Sequence, residues 1–268
     1  MARRSGIVTL TTDFGTRDAY VGAMKGVICS IFPGVRIVDI THEIRPQKVL
    51  EAAMLLEAAY PWFPAGTVHV VVVDPGVGSK RRPLAVESDG QIFVGPDNGV
   101  LSAPLAGRSV QPHEIVEAAY EMPTRSDTFH GRDVFSPAAG HLAAGLTVDF
   151  LGPAVADPVR LELPKPVVKN DQVEGEILRI DRFGNALSSI PRVILQDLGS
   201  GPYEVFVGGK SYGQLCRRYD EVPEGGTLAL TGGDGRVEIA INGGAANETL
   251  GIEPGDVMII RRLPKETA

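Results

Sequence analysis

The apolar positions of the first half of the chain fall into two alternating periods. Gly6–Thr11 is a short β-branched run that stops at Asp13 and predicts a first strand. Ala19–Phe32 follows with helical spacing, which places Val21, Met24, Val27, Ile28 and Ile31 on one face. Val35–Ile40 predicts a second strand, and the Ala- and Leu-rich stretch Val49–Ala59 a second helix. Thr67–Val73 is almost continuously apolar, as expected of a strand buried on both faces. Leu84–Ser88 and Gln91–Val94 predict a hairpin around Asp89-Gly90, and Ser136–Ala144 a helix with Pro137 at an early position. Strand–helix–strand alternation of this kind argues for an α/β unit, a mostly parallel sheet with helices on both faces.

Near residue 160 the pattern changes. Pro164 and Pro166 with scattered charges mark a linker, so the expected division is 1–162, a linker over 163–171, and 172–268. Val173–Ile180, Glu204–Val207, Thr227–Leu230, Arg236–Ile241 and Val257–Arg262 are short alternating segments separated by Gly, Pro and Asp. They predict a smaller C-terminal all-β domain, barrel-like in form.

Composition narrows the function classes. The 268 residues are 43% hydrophobic and 22% charged, enough apolar surface for a sizeable core. Thirty-two Gly and 20 Pro favour turns and short elements over a helical bundle. A net charge of −7 argues against a nucleic-acid partner held by a broad basic face. Cys29 and Cys216 have no metal-like spacing and read as free thiols of a reducing compartment. The basic start at Met1-Ala2-Arg3-Arg4 precedes an apolar stretch too short for an export signal, and no run reaches membrane-span length. The expectation is a cytoplasmic protein with no membrane partner.

Carboxylates sit where an α/β sheet places its ligands. Asp13 follows the first strand and Asp74 the third, and crevices form outside the carboxyl ends of such strands. Gly76 and Gly78 then permit close backbone approach, and Lys80-Arg81-Arg82 supplies positive charge. Capping and turn formation are the plain alternatives for each Asp. Phe129-His130-Gly131-Arg132-Asp133 gathers a proton-exchanging imidazole with two charged groups ahead of a helix; a helix-capping cluster is the alternative. In the second domain, Asp181 and Asn185 bracket a Gly turn and offer acceptor and amide groups, unless they only shape that turn. The five histidines have no ligand spacing, so no metal is expected. Gly76-Val77-Gly78 lacks the third glycine of a dinucleotide loop, and neither a phosphate loop nor a nucleophile elbow is present.

Six motifs occur in order: Thr11-Thr12-Asp13-Phe14-Gly15, Asp18 through Gly22, Val73-Asp74-Pro75-Gly76-Val77-Gly78, Gly95-Pro96-Asp97-Asn98-Gly99, Phe129-His130-Gly131-Arg132-Asp133 and Ile180-Asp181-Arg182-Phe183-Gly184-Asn185. Over nearly the whole chain this resembles the S-adenosyl-L-methionine (SAM) hydroxide adenosyltransferases, or SAM hydrolases, relatives of the fluorinating and chlorinating SAM enzymes. The resemblance implies hydrolysis of SAM, as substrate and with no cofactor, to adenosine and L-methionine. It also implies a homotrimer that holds each SAM between the N-terminal domain of one subunit and the C-terminal domain of its neighbour. By motif match the catalytic set is Asp74, Arg81 and His130, with Arg82 the adjacent competitor. Asp13 matches the ribose-binding acid, while Asp18, Asp181 and Asn185 match further substrate contacts, Asp181 at the methionine amino end. Asn242, in Ile241-Asn242-Gly243-Gly244, matches the adenine-reading strand. Two departures stand out: Thr231-Gly232-Gly233-Asp234-Gly235 replaces a Ser-rich segment, and Leu187 stands where the halogenating relatives carry an aromatic. A SAM-dependent halogenase and a non-catalytic SAM- or adenosine-binding trimer are the alternative readings.

Overall fold

The computed structural model describes residues 4–107, 110–162 and 164–264. Met1–Arg3, the first three residues of the basic start, and Leu163, first residue of the expected linker, fall outside the described residues. The chain divides into two compact units, Met1–Leu161 and Glu162–Ala268.

In the first unit, β1 (Ile7–Thr12), β2 (Arg36–Thr41), β3 (Val68–Val72), β4 (Pro83–Ser88), β5 (Gln91–Pro96) and β6 (His113–Glu114) form one sheet in the order β2-β1-β3-β5-β4-β6. The β1–β2, β1–β3 and β3–β5 pairs are parallel, and the β4 hairpin adds antiparallel strands at one edge. Its turn residues Asp89 and Gly90 both have positive φ, 52° and 73°, the geometry a two-residue hairpin needs. The helices are α1 (Tyr20–Ile31), α2 (Val49–Ala59) and α3 (Ser136–Ala144). The valines of β3, with Val73 just after it, show why both faces are covered. Val70 and Val72 pack with α1 and α3 residues such as Met24, Ile28 and Leu142, while Val71 and Val73 pack with Ala52 and Leu56 of α2. Period-two alternation thus sends successive apolar side chains into two separate cores.

The second unit holds β7 (Val167–Lys169), β8 (Gln172–Ile180), β9 (Ala186–Pro191), β10 (Tyr203–Val207), β11 (Lys210–Cys216), β12 (Thr227–Thr231), β13 (Arg236–Ile241) and β14 (Val257–Arg262), with the short helix α4 (Ala246–Leu250). Seven strands close into a barrel, β8-β14-β10-β11-β12-β13-β9 and back to β8. Closure is possible because β8 is long: its first half pairs with β14 and its second half with β9. The stretch expected as linker contributes β7, which pairs with β8 outside the closed ring. Cys29 and Cys216 are both free, and no helix among the described residues is long and apolar enough to cross a membrane.

Candidate functional site

At the carboxyl end of β3 the chain makes two tight turns. Val77 N–H donates to the Asp74 carbonyl at 3.2 Å and Ser79 N–H to that of Gly76 at 3.1 Å. The Ser79 hydroxyl then accepts Arg81 N–H at 3.2 Å, which folds Arg81 back onto Asp74. Arg81 Nε lies 2.9 and 3.0 Å from the two Asp74 carboxylate oxygens, and Nη2 donates to Oδ2 as well. The side chains are only 9% and 5% exposed. Phe135 lies under the guanidinium, 5.1 Å from Cζ to the ring centre.

His130 completes the group. Arg81 Nη2 is 2.9 Å from His130 Nδ1, a guanidinium edge set against the imidazole. Arg125 approaches Nε2 from the other side at 3.4 Å while pairing with Glu121 at 3.1 Å. Burial, then the charges of Arg125 and Arg81, hold the His130 pKa below the usual imidazole value against the opposing pull of Asp74 and Asp127. The imidazole is therefore kept neutral. Arg81 Nη1 is buried and has no hydrogen-bond partner among the described residues.

The segment that carries His130 opens a π turn, Gly131–Phe135, which leads directly into α3. Ser136 Oγ donates to the Gly131 carbonyl at 2.7 Å, satisfying one of its loosened backbone groups. Asp133 does not meet His130 in a hydrogen bond; its carboxylate takes Arg132 at 2.6 and 2.9 Å and Ser126 N–H at 2.8 Å. That ties down the loop bearing Arg125 and Asp127. Gly78, at φ +75°, packs so closely on that loop that an added Cβ would stand 2.5 Å from the Asp127 carbonyl oxygen.

A cavity of about 390 Å³ opens here, lined by Asp13, Asp74, His130 and the aromatic trio Phe14, Tyr20 and Phe129. Ring centres in the trio are 5.2 to 6.0 Å apart. Asp13 Oδ2 accepts Gln47 N–H at 2.8 Å, which leaves its other oxygen for a ligand. Asp18 is exposed and does not line the cavity. Arg82 points elsewhere: it bridges buried Asp97 at 2.6 Å and exposed Asp157 at 2.7 Å. Between the two neighbouring arginines, Arg81 is the one beside Asp74 and His130. The Gly95–Gly99 motif is a support as well, since Asn98 Nδ2 donates to the Val73 carbonyl at 2.9 Å just ahead of Asp74.

In the barrel unit, Asp181 Oδ1 accepts the N–H groups of Phe183 and Asn185 at 2.8 and 2.9 Å, and Oδ2 accepts Asn185 Nδ2 at 3.1 Å. Gly184 is required between them: φ is +84° and a Cβ would meet Ala245 at 2.6 Å. A second cavity, of about 480 Å³, is lined by Phe183, Asn185, Tyr219, Asn242 and Gly243. Asn242 faces it but commits Nδ2 to the Val222 carbonyl at 2.9 Å. Phe183 is 74% exposed at its rim. Leu187 is buried in β9 and does not line the cavity.

Three residues escaped the sequence reading: Arg125, Tyr219 and Glu238. Arg125 lies in irregular chain with no motif around it. Tyr219 sits in the charged stretch Arg218–Glu221. Glu238 alternates with apolar Val237 and Ile239 as a solvent-facing residue would, yet is only 4% exposed.

Two family models match the chain, the SAM hydroxide adenosyltransferase N-terminal domain over residues 8–152 and the corresponding C-terminal domain over residues 175–259. An (R)-S-adenosyl-L-methionine hydrolase from Thermus thermophilus is 39% identical over 258 residues, 92% of this chain and 96% of the relative. A fluorinase from Actinoplanes is 30% identical over 228 residues, 75% of this chain and 76% of the relative. The crystal structure of an uncharacterized conserved protein from Thermotoga maritima superposes with a TM-score of 0.88 at 37% identity, covering 96% of this chain and all of that one. With both domain models matched in order and the hydrolase relatives aligned end to end, the chain belongs to the SAM hydroxide adenosyltransferase family.

Proposed function

We propose that this protein hydrolyses SAM to adenosine and L-methionine, with Asp74, Arg81 and His130 handling the water that attacks C5′. The observation that carries this reading is the buried, unpartnered Nη1 of Arg81 within that cluster. The sulfonium is already a good leaving group, so nothing that departs needs a proton. A new C5′–O bond forms as the C5′–S bond breaks, and the electron pair stays on sulfur as the thioether of methionine. One proton leaves the water. Arg81 stabilises the developing hydroxide, and neutral His130 with Asp74 orients the water and accepts that proton. SAM is the substrate, and the step calls on no cofactor.

Asp13, with one oxygen fixed by Gln47 N–H, holds the ribose hydroxyls by charge-assisted hydrogen bonds. In the barrel unit, Asp181, Asn185 and Asn242 bind the remaining polar groups, Asp181 at the amino end of methionine. Asp18, which is exposed, acts only as an outer contact. The working form is a homotrimer in the cytoplasm, each SAM held by the N-terminal domain of one subunit and the C-terminal domain of the next. Similarity to hydrolases over more than nine-tenths of their length supports this reading over the halogenase alternative.

The test is incubation with SAM in ¹⁸O-labelled water. Equal release of adenosine and methionine is expected, with the label at the adenosine 5′ oxygen. No consumption of SAM would leave a binding protein, and 5′-halogenated adenosine formed with added halide would leave a halogenase.

A further inference from the structure

The barrel unit contains a buried carboxylate that the hydrolytic step does not use. Glu238 of β13 is 4% exposed, and its Oε1 accepts the Tyr219 hydroxyl at 2.8 Å. Tyr219 Oη in turn lies 3.3 Å from Asn185 Nδ2, which also reaches Asp181 Oδ2 at 3.1 Å. The direction of every bond in this relay is fixed by chemistry. The facing carboxylate oxygens of Glu238 and Asp181 accept, so Tyr219 donates its single proton to Glu238 and its oxygen is left to accept. Both Asn185 Nδ2 protons are then consumed, one by each neighbour. Turning the amide over would set Oδ1 against an Asp181 oxygen, two acceptors at hydrogen-bond distance. Asn185 Oδ1 has no partner among the described residues and belongs to a side chain that lines the cavity.

Glu238 has been given room for this purpose. A Cβ on Gly232 would lie 2.3 Å from Glu238 Oε2, so the bare glycine is the seat of the carboxylate. Burial and the charges of Asp181 and Asp234 raise the Glu238 pKa, while the Tyr219 hydrogen bond and Arg179 oppose the shift. The same environment pushes Tyr219 up to about 12, so its proton stays in place for the relay.

We propose that Glu238 is a positioning residue: through the Tyr219 hydroxyl it locks the Asn185 amide with Oδ1 open to the cavity, which makes an N–H donor the group this cavity selects. The inference rests on the SAM hydrolase reading for the identity of the ligand. In SAM that donor is either the amino group of the adenine ring or the ammonium of the methionine half.

Calorimetric titration of the full-length protein with SAM, alongside turnover, tests it. Glu238→Leu and Tyr219→Phe are each expected to weaken SAM binding about tenfold, the loss of about one buried hydrogen bond, with kcat changed less than about twofold. Glu238→Gln, whose amide oxygen still accepts from Tyr219, restores binding, and the double variant Glu238→Leu/Tyr219→Phe is no weaker than either single one. Tyr219→Phe removes one hydroxyl from a half-exposed side chain, so it reports even where Glu238→Leu melts early. Additive losses, or Tyr219→Phe binding as wild type, would overturn the relay. The donor is located with two analogues, one carrying a keto group for the adenine amino group and one lacking the methionine ammonium. The wild type rejects one of them and the Tyr219→Phe variant discriminates less; equal acceptance of both by the wild type would overturn the selection. A wild type that binds SAM without consuming it defeats the hydrolase reading and leaves the relay to be judged on binding. One that does not bind SAM at all defeats both.

Discussion

Two adjacent arginines show how little a residue type settles by itself. Arg81 turns inward to Asp74 and His130, whereas Arg82 turns outward to join Asp97 and Asp157. Their substitutions should therefore fail in different assays. Arg81→Ala is expected to lower kcat about 10²–10³-fold, the range for a lost donor to developing charge, with SAM affinity nearly kept. Arg82→Ala should lower stability by about 1–3 kcal/mol in denaturant unfolding, because Asp97 stays buried without its cation. Reversed outcomes would exchange their roles. The imidazole gives a pH prediction with a definite sign. In the proposed step His130 acts as the neutral base, and its pKa lies below the usual value, so kcat/KM should hold as pH falls past 6.5 and drop only below that. Arg125→Gln removes a cation 3.4 Å from the ring and should move this acid limb upward. An unmoved limb would show that the exposed Arg125 charge is screened. The resemblance grouped Asp74, Arg81 and His130 and left Arg82 as a competitor, but it gave no sign of Arg125, whose effect comes from a loop folding across the site rather than from any local motif.

At the scale of elements, legibility followed the simplicity of the burial pattern. The Ala- and Leu-rich helix Val49–Ala59, the helix Ser136–Ala144 with its early Pro137, and the alternating strands Arg236–Ile241 and Val257–Arg262 lie where the sequence placed them. Strand β9 was missed because Ser188 and Ser189 are both buried, their hydroxyls satisfied by the Val237 carbonyl and Glu176 N–H, so no apolar alternation marks it. Strand β11 was missed because Gly213 at φ +80° breaks its pattern beside an irregular register with β10. The π turn at Gly131–Phe135 has no periodic signature, yet it aims His130. Loops this tightly packed make sharp tests. Gly78→Ala forces a left-handed φ and a clash with the Asp127 carbonyl, and should cost about 1–3 kcal/mol while displacing the His130 loop. Loss of activity greater than the loss of stability would be the sign of that displacement. The sheet itself carries a titrating tie: His69 of β3 bridges Thr9 of β1 and Gln91 of β5, and burial lowers its pKa to about 4. A depressed folded-state value means stability is fully present above 6.5 and lost as pH falls toward about 4, and His69→Asn should flatten that limb of the unfolding curve.

For the whole molecule, the two units each bring a cavity with its own polar set, Asp13, Asp74 and His130 in one and Asn185 and Asn242 in the other. The proposed trimer joins an N-terminal set from one subunit to a C-terminal set from the next, and this arrangement has a consequence that single-chain catalysis lacks. Light scattering should return three times the 28.5 kDa chain mass. Arg81→Ala disables a subunit's N-terminal contribution and leaves its barrel intact; Asn185→Ala does the reverse. Each variant alone forms only defective sites. When the two are co-expressed in equal amounts, every mixed trimer contains one interface that pairs an intact N-terminal domain with an intact barrel. Random assembly then restores about one quarter of wild-type activity, because three-quarters of trimers are mixed and one site in three is whole in each. If a single chain supplied both halves, co-expression would yield no more than the average of the two defective proteins. The recovered fraction separates the two arrangements without any need to observe the interface directly, and it does so with two substitutions whose local contacts are already defined.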